Sequence, residues 1–166
     1  QAAGLKVVDE LAFGPDDTWT LFHSTTFDFS VWEIWGALAH GGRLVIVPHE
    51  ARTSPELFLD LLHRERVTIL NQTPSAFQNL PELFLREIIL GGEALDLRSV
   101  APWLAMHLPG RLVNMYGITE TTVHVTFEAI SDALIDAHPH QSVIGTPIDG
   151  WGIEVWDAHG NPTPVG

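Results

Sequence analysis

The chain has 166 residues, and 45% of them are hydrophobic, so it is long and apolar enough to fold around a substantial core. Eight Lys and Arg residues stand against 21 Asp and Glu, and the formal net charge of -13 repels nucleic-acid phosphates and anionic membranes. The absence of cysteine excludes disulfides, thiolate metal sites and thiol catalysis. No apolar run approaches the roughly 18 to 20 residues that span a bilayer, and the first residues lack a secretory signal pattern. We therefore expect a cytoplasmic protein whose partners include neither nucleic acid nor membrane.

Short runs rich in Val, Ile and Leu alternate with helix-like segments along most of the chain. The predicted strands are, in chain order, 18–24, 43–48, 67–72, 87–90 and 111–115. The predicted helices between them are 30–40, 54–65 and 96–107, the second of which starts at a Ser-Pro pair typical of a helix cap. This alternation predicts an α/β fold, a parallel sheet with helices on both faces.

The pattern changes near residue 143 to short strands punctuated by Gly and Pro. Within them, the segment Asp157-Ala158-His159-Gly160-Asn161 is typical of a hairpin turn. We expect residues 1–142 to form one subdomain and residues 143–166 to begin another, β-rich one. Residues 131–141 are predicted to be the loop between them.

Polar residues and glycines cluster directly after four of the predicted strands. They occupy 25–30, 71–74, 91–93 and 116–122. In open α/β sheets ligands bind outside the carboxyl ends of the strands, so these segments predict a binding site. Each one taken singly has another interpretation, because such residues also cap helices or make turns. Asp28, two residues before a predicted helix, is the clearest example.

The individual site candidates also remain open from the residues alone. Gly91-Gly92 could admit a nucleotide or substrate to the backbone, or serve a tight turn. Asn114 and Tyr116 could contact a base, or Tyr116 could be an ordinary aromatic at the rim. Thr119 and Glu120 could hold phosphate and Mg²⁺, or form a solvated turn. There is no HExxH zinc motif, Walker loop or dinucleotide fingerprint, and no structural metal is predicted.

Four segments, read together, share the residues and the order of the core motifs of one known family. They are FDFSVWE at 27–33, NQTPS at 71–75, GGEAL at 91–95 and NMYGITETT at 114–122, with GTPI at 145–148 and GNPTPVG at 160–166 extending the match. The chain thus resembles the adenylation domains of nonribosomal peptide synthetases, within the superfamily of adenylate-forming enzymes. Ile118 stands where many relatives have Pro. The resemblance implies a flavodoxin-like subdomain.

Members of this family use ATP and Mg²⁺ to activate a carboxylate, release pyrophosphate and pass the acyl group to the phosphopantetheine thiol of a carrier protein. The resemblance implies that Thr119 and Glu120 are catalytic, with Thr119 facing the phosphates and Glu120 ligating Mg²⁺. It places the nucleotide against Gly92, Glu93, Ala94, Asn114, Tyr116 and Thr119.

The resemblance also implies a pocket for the amino acid. Its residues are Asp28, Phe29, Trp32, Asn71, Ile89, Gly91, Met115, Val123 and His124, a combination that resembles the signature for L-threonine. Asp28 would pair with the substrate ammonium group, which a carboxylate in an apolar pocket requires. Asn71 and His124 would hydrogen-bond the side-chain hydroxyl, unless they serve packing or helix capping instead.

Compared with the family pattern, the phosphate loop before residue 1 and the lysine-bearing lid after residue 166 are missing, so we expect the fragment to be catalytically incompetent alone. The implied partners are the remainder of the adenylation domain, a peptidyl carrier protein and a condensation domain. One alternative is a fragment of a standalone acyl- or aryl-acid ligase, which Asp28 would disfavour. The other is a non-catalytic flavodoxin-like binding module.

Overall fold

A computed structural model of the chain describes residues 11–80 and 84–163. Within these residues the strands are β1 (Thr18–Leu21), β2 (Arg43–Ile46), β3 (Ile69–Gln72), β4 (Glu87–Leu90), β5 (Arg111–Tyr116), β6 (Thr126–Ala129) and β7 (Thr146–Pro147). They form one sheet in the order β2-β1-β3-β4-β5-β6-β7. The pairs from β2 to β5 are parallel, whereas β6 and β7 are antiparallel to their neighbours.

The parallel part of the sheet confirms the predicted α/β fold, and its order 2-1-3-4-5 is that of flavodoxin. The sheet as a whole is mixed, which the prediction of a parallel sheet did not include. The reason is the short connection between β5 and β6, residues 117–125. A parallel crossover needs a dozen or more residues, so a strand reached this quickly pairs in the antiparallel sense.

The helices are α1 (Phe29–Leu38), α2 (His49–Arg52), α3 (Pro55–Arg64), α4 (Pro74–Phe77), α5 (Ala101–Ala105) and α6 (Asp132–Ala137), with 3₁₀ turns at Leu97–Val100 and Thr119–Thr121. The helix predicted over 96–107 is therefore a 3₁₀ turn followed by the short α5. The loop predicted over 131–141 is wrong in its first half, because α6 lies there. Ser131 caps α6 by accepting the Leu134 N–H at 3.2 Å, and Ile135 is buried against the core.

Alternate residues of the central strands point into two hydrophobic cores, one on each face of the sheet. Leu70, Ile88 and Leu112 face the larger core, to which α3 contributes Phe58, Leu61 and Leu62. Ile69, Ile89 and Val113 face the smaller one, which contains Trp19 and Ala37 of α1. Helices on both faces are thus confirmed.

The amino ends of the strands carry a group of paired charges, which we call the amino edge. Arg86 donates to both carboxylate oxygens of Asp17, at 3.0 and 2.7 Å, and the Thr68 hydroxyl donates to the same carboxylate at 2.8 Å. Arg111 donates to Glu87 at 2.6 and 2.9 Å. Burial nevertheless raises the pKa of Glu87, because desolvation outweighs the hydrogen bond from Arg111.

The last part of the described chain is mostly exposed. Residues 146–147 pair with β6 and Ile148 lies in the smaller core, whereas residues 149–163 are exposed. The predicted hairpin turn is confirmed, since the Gly160 N–H donates to the Asp157 carbonyl at 3.0 Å. The boundary at residue 143 stays a prediction. Residues 164–166 of the closing motif lie outside the described residues.

Candidate functional site

Two adjoining cavities lie at the carboxyl ends of the strands, which we call the carboxyl edge. The first cavity, of about 240 Å³, is lined by Phe27, Asp28, Phe29, Gly92, Gly117, Ile118, Thr119, Glu120, Val123 and His124. The second cavity, of about 340 Å³, is lined by Gly92, Glu93, Ala94, Asn114, Met115, Tyr116, Gly117, Ile118, Ser142 and Ile144. They share three residues, so two ligands or two parts of one ligand could meet there.

Asp28 lies at the wall of the first cavity, at the N-cap position of α1. Its side chain makes no capping hydrogen bond, so a simple helix-start role lacks its usual contact. The half-buried carboxylate has no hydrogen-bond partner among the described residues. A carboxylate held in this way favours a cationic ligand.

Asn71 and His124 present buried polar atoms without partners. Trp32 Nε1 donates to Asn71 Oδ1 at 2.9 Å, which leaves Asn71 Nδ2 buried with no partner among the described residues. Both ring nitrogens of His124 are in the same situation. The His124 ring lies edge-on to the rings of Phe29 and Trp32, with centroids 5.2 Å from each. Neither residue caps a helix through its side chain, so capping does not explain them.

Burial lowers the pKa of His124 to about 3. The imidazole is therefore neutral at neutral pH, with one nitrogen donating and the other accepting a hydrogen bond. Together with the Asn71 amide, whose NH₂ group can only donate, the site offers three N–H donors on two nitrogens and one acceptor nitrogen.

Gly91 leaves space between these residues. A Cβ there would lie 3.0 Å from the Met115 carbonyl oxygen and 3.1 Å from His124 Cε1. Ile89 and Met115 are buried in the smaller core, against which Trp32 packs. Of the nine predicted substrate residues, Asp28, Phe29, Val123 and His124 line the first cavity. Trp32 and Gly91 lie against His124, Asn71 is hydrogen-bonded to Trp32, and Met115 lines the second cavity. The structure brings the set together, while the role of each residue stays a prediction.

The turn over residues 117–124 fixes one wall of the first cavity. A Cβ at position 117 would overlap the carbonyl oxygen of Val123, so only glycine fits. Thr122 and Val123 have φ of 63° and 73°, which is rare for β-branched residues and costs free energy. Strained backbone of this kind is common at binding sites. Here the strained turn places Val123 and His124 in the wall of the first cavity.

The second cavity contains five of the six residues predicted to bind nucleotide: Gly92, Glu93, Ala94, Asn114 and Tyr116. Tyr116 is 44% exposed, as a ring available for stacking would be. Asn114 Nδ2 donates to the Val143 carbonyl at 2.8 Å, so its remaining polar atom is Oδ1. Glu93 accepts from the Ser75 N–H and hydroxyl at 3.1 and 2.9 Å.

Thr119 and Glu120 line the first cavity and not the second. Both are exposed at the 3₁₀ turn. One carboxylate beside a hydroxyl fits Mg²⁺, which takes few protein ligands and completes its shell with phosphate and water. The described part of the chain has no group of three or more His, Cys, Asp or Glu residues that could hold a metal. Over the same residues, no helix is long and apolar enough to cross a membrane.

A buried pair that the sequence analysis did not assign lies behind the first cavity. The Glu33 carboxylate is fully buried and accepts from His23 Nδ1 at 3.0 Å. The signal was present in the sequence: Glu33 falls four residues after Phe29 on the buried face of α1, where a charged residue requires a partner.

Comparison with known proteins gives a consistent result. The family described as AMP-binding enzyme matches residues 1–166. The dimodular nonribosomal peptide synthase of Bacillus subtilis is 50% identical over 167 residues, which cover 93% of this chain and 7% of that protein. Syringomycin synthase SyrB1 of Pseudomonas syringae is 44% identical over 164 residues, covering 93% of this chain and 26% of that protein.

Among solved structures, PA1221, described as an NRPS protein containing adenylation and PCP domains, matches with a TM-score of 0.78 and 30% identity. The match covers 92% of this chain and 32% of that one. The chain thus spans less than a third of each of these relatives. By the match over its whole length and by its similarity to nonribosomal peptide synthetases, the chain belongs to the AMP-binding enzyme family.

Proposed function

We propose that this chain is the substrate-selecting part of an adenylation domain that activates L-threonine with ATP and Mg²⁺ to threonyl-AMP, for loading onto a carrier protein. The observation that carries the proposal is the first cavity itself: its wall holds the Asp28 carboxylate and the buried ring nitrogens of His124, none of which has a hydrogen-bond partner among residues 11–80 and 84–163. The relatives, which are nonribosomal peptide synthetases, support the same reaction class.

Asp28 would bind the substrate ammonium group. The carboxylate lines the cavity at the start of α1 and has no partner among the described residues, so an amine supplies the missing charge. An aryl or fatty acid would leave this carboxylate unpaired, which disfavours the related acyl- and aryl-acid ligases.

Asn71 and His124 would bind the side-chain hydroxyl. Asn71 Nδ2 would donate to the hydroxyl oxygen, and the neutral His124 ring would accept the hydroxyl proton. Valine has the same shape but leaves these atoms unpaired in a buried site. An unpaired buried polar group costs about 1–3 kcal/mol, so the two together favour threonine by about 10³-fold.

The second cavity would hold the nucleotide. Tyr116 offers a ring to the base, Asn114 Oδ1 an acceptor, and the Gly92-Glu93-Ala94 backbone a close approach. Glu120 would hold Mg²⁺, which supplies charge neutralisation at the phosphates. Since Gly92, Gly117 and Ile118 line both cavities, the amino-acid carboxylate and the α-phosphate would meet between them.

The reaction is a displacement at phosphorus. A carboxylate oxygen of the amino acid bonds to the α-phosphorus while the bond to the leaving pyrophosphate breaks. The residues here would act by positioning and charge stabilisation, since none has to form a covalent bond. We expect turnover to need the further segments that the family has on both sides, so the 166-residue chain alone would not catalyse it.

The test is a chimeric protein in which this chain replaces the matched residues of the Bacillus subtilis relative. We expect threonine-dependent exchange of labelled pyrophosphate into ATP. Asp28→Ala should nearly abolish that exchange, because the ammonium group loses its counter-charge. Asp60→Ala, which removes an exposed carboxylate on α3, should leave exchange unchanged.

Two outcomes would contradict the proposal. Preference for an unrelated amino acid would refute the assignment of the pocket. Exchange that is driven by acids without an amine, and is insensitive to Asp28→Ala, would identify an acyl- or aryl-acid ligase instead.

A further inference from the structure

Glu33 is a carboxylate in the buried face of α1, and within the described residues its hydrogen-bond donors all come from the two residues that follow β1. Its Oε1 accepts from the Phe22 N–H at 3.3 Å and from His23 Nδ1 at 3.0 Å. Its Oε2 accepts from the His23 N–H at 3.1 Å. These contacts join the first turns of α1 to residues 22–23, directly beside the carboxyl edge.

The hydrogen bonds fix the plane of the His23 ring. Each Glu33 oxygen accepts a main-chain N–H, from Phe22 or His23, and Oε1 also lies 3.0 Å from His23 Nδ1, so one edge of the ring is held. The ring stacks on Phe29, with centroids 4.6 Å apart and planes 17° apart, and Phe27 meets it edge-on at 5.4 Å. Both phenylalanines line the first cavity, and Asp28 lies between them in the chain.

The contacts continue from Phe29 to the other side of the cavity. Phe29 meets the His124 ring edge-on at 5.2 Å, and Phe29 Cζ lies 3.5 Å from where a Cβ of Gly91 would be. A continuous series of contacts thus runs from the Glu33 carboxylate through His23 and Phe29 to the ring of His124, whose nitrogens have no partner in the described part of the chain.

We propose that Glu33 and His23 are a positioning pair that sets the affinity of the first cavity for its amino acid. The pair holds the ring of Phe29, and through the backbone of Phe29 the carboxylate of Asp28, without touching the substrate. This inference rests on the proposed function. A group displaced by as little as 1 Å in such a site can cost about 100-fold in rate, so loosening the pair should weaken amino-acid use by about tenfold or more.

Glu33→Gln tests the pair with little change of shape. The new NH₂ group faces either the His23 N–H or the Phe22 N–H together with His23 Nδ1, so one main-chain donor loses its acceptor in either orientation. Glu65→Gln is the matched control, because Glu65 pairs with Arg43 away from both cavities.

In the chimeric protein we expect Glu33→Gln to raise KM for threonine by about tenfold or more. KM for ATP should stay within about twofold, since the second cavity is not touched by the pair. Glu65→Gln should change neither value. A lower melting temperature with an unchanged KM for threonine, or an equal rise in both KM values, would overturn the proposal.

A second variant and a second measurement cover the other cases. If Glu33→Gln does not fold, His23→Gln keeps a side-chain N–H donor but removes the stacking ring, and an unchanged KM for threonine would overturn the proposal. If the chimeric protein activates no amino acid, the proposed function fails, and the pair is judged by NMR on the 166-residue chain. There, Glu33→Gln should shift the ring signals of His23, Phe29 and His124; signals as unmoved as those of Glu65→Gln would refute the pairing.

Discussion

The two edges of the sheet treat buried polar groups in opposite ways. At the amino edge, both oxygens of the Asp17 carboxylate accept hydrogen bonds from Arg86, and one of them also accepts from the Thr68 hydroxyl. At the carboxyl edge, Asn71 Nδ2 and both nitrogens of His124 are buried with no partner among the described residues. Such atoms cost free energy unless they are paired, so the amino edge serves the fold, whereas the carboxyl edge carries the atoms that we propose bind the substrate.

The amino edge has its own unpaired atom, Glu87 Oε2. Its other oxygen, Oε1, nevertheless accepts hydrogen bonds from Arg111 at 2.9 and 2.6 Å. A cavity lined by Thr68 and Leu85 also lies at the amino edge, but Glu87 is not among its lining residues. The comparison therefore rests on unpaired atoms that belong to a residue lining a cavity, as the His124 ring nitrogens do at the carboxyl edge.

The largest effect is expected from a matched pair of glycine substitutions, one at each edge. Gly117→Ala puts a Cβ onto the Val123 carbonyl oxygen and must displace the wall of the first cavity. We expect kcat/KM for threonine to fall by about 100-fold in the chimeric protein. Gly14→Ala, at the amino edge, meets nothing within 4 Å and should leave kcat/KM unchanged. Equal losses in both variants would remove the distinction between the edges.

A smaller effect is expected from pH, through His124. Its folded-state pKa of about 3 lies below the unfolded value of about 6.5, so the unfolded chain binds more protons between these values. Stability present above pH 6.5 is then lost as pH falls toward 3, by about 1.4 kcal/mol per pH unit. Urea unfolding at several pH values should show this slope, and His124→Gln should flatten it. An equal slope in the variant would place the titrating group elsewhere.

The smallest effect is expected at the amino edge and has the opposite sign. Burial raises the pKa of Glu87, so the stability linked to its protonation is present at low pH and is lost as pH rises through the raised value. Relative to the wild type, Glu87→Gln should therefore gain stability as pH increases from 4 to 7, measured in the same urea series. If the stability of Glu87→Gln relative to the wild type instead fell with rising pH, the ion pair with Arg111 would outweigh desolvation.

Local patterns predicted the parallel part of the sheet and missed what depends on distant contacts. The first strand was predicted to run to residue 24 but ends at Leu21. The reason is tertiary: the N–H groups of Phe22 and His23 turn to the Glu33 carboxylate instead of continuing a strand ladder. Residues 126–129 and α6 were missed because short, half-buried segments carry little periodicity.

For the candidate site, too, the sequence indicated which residues lie there but missed contacts that depend on the fold. The motif resemblance located the residues that surround the two cavities, because their order along the chain follows the order of the strands. It did not predict that Thr119 and Glu120 line the first cavity, or that Trp32 Nε1 donates a hydrogen bond to the side-chain oxygen of Asn71. Those facts depend on the conformation of the strained turn and on a contact across 39 residues.

The central claim is that the first cavity selects a hydroxyl-bearing amino acid through Asn71 and His124. The most direct measurement compares threonine with valine in pyrophosphate exchange by the chimeric protein, because the two substrates differ only by a hydroxyl in place of a methyl. The account predicts a kcat/KM ratio of about 10³ in favour of threonine. Activation of valine at the rate of threonine would contradict it.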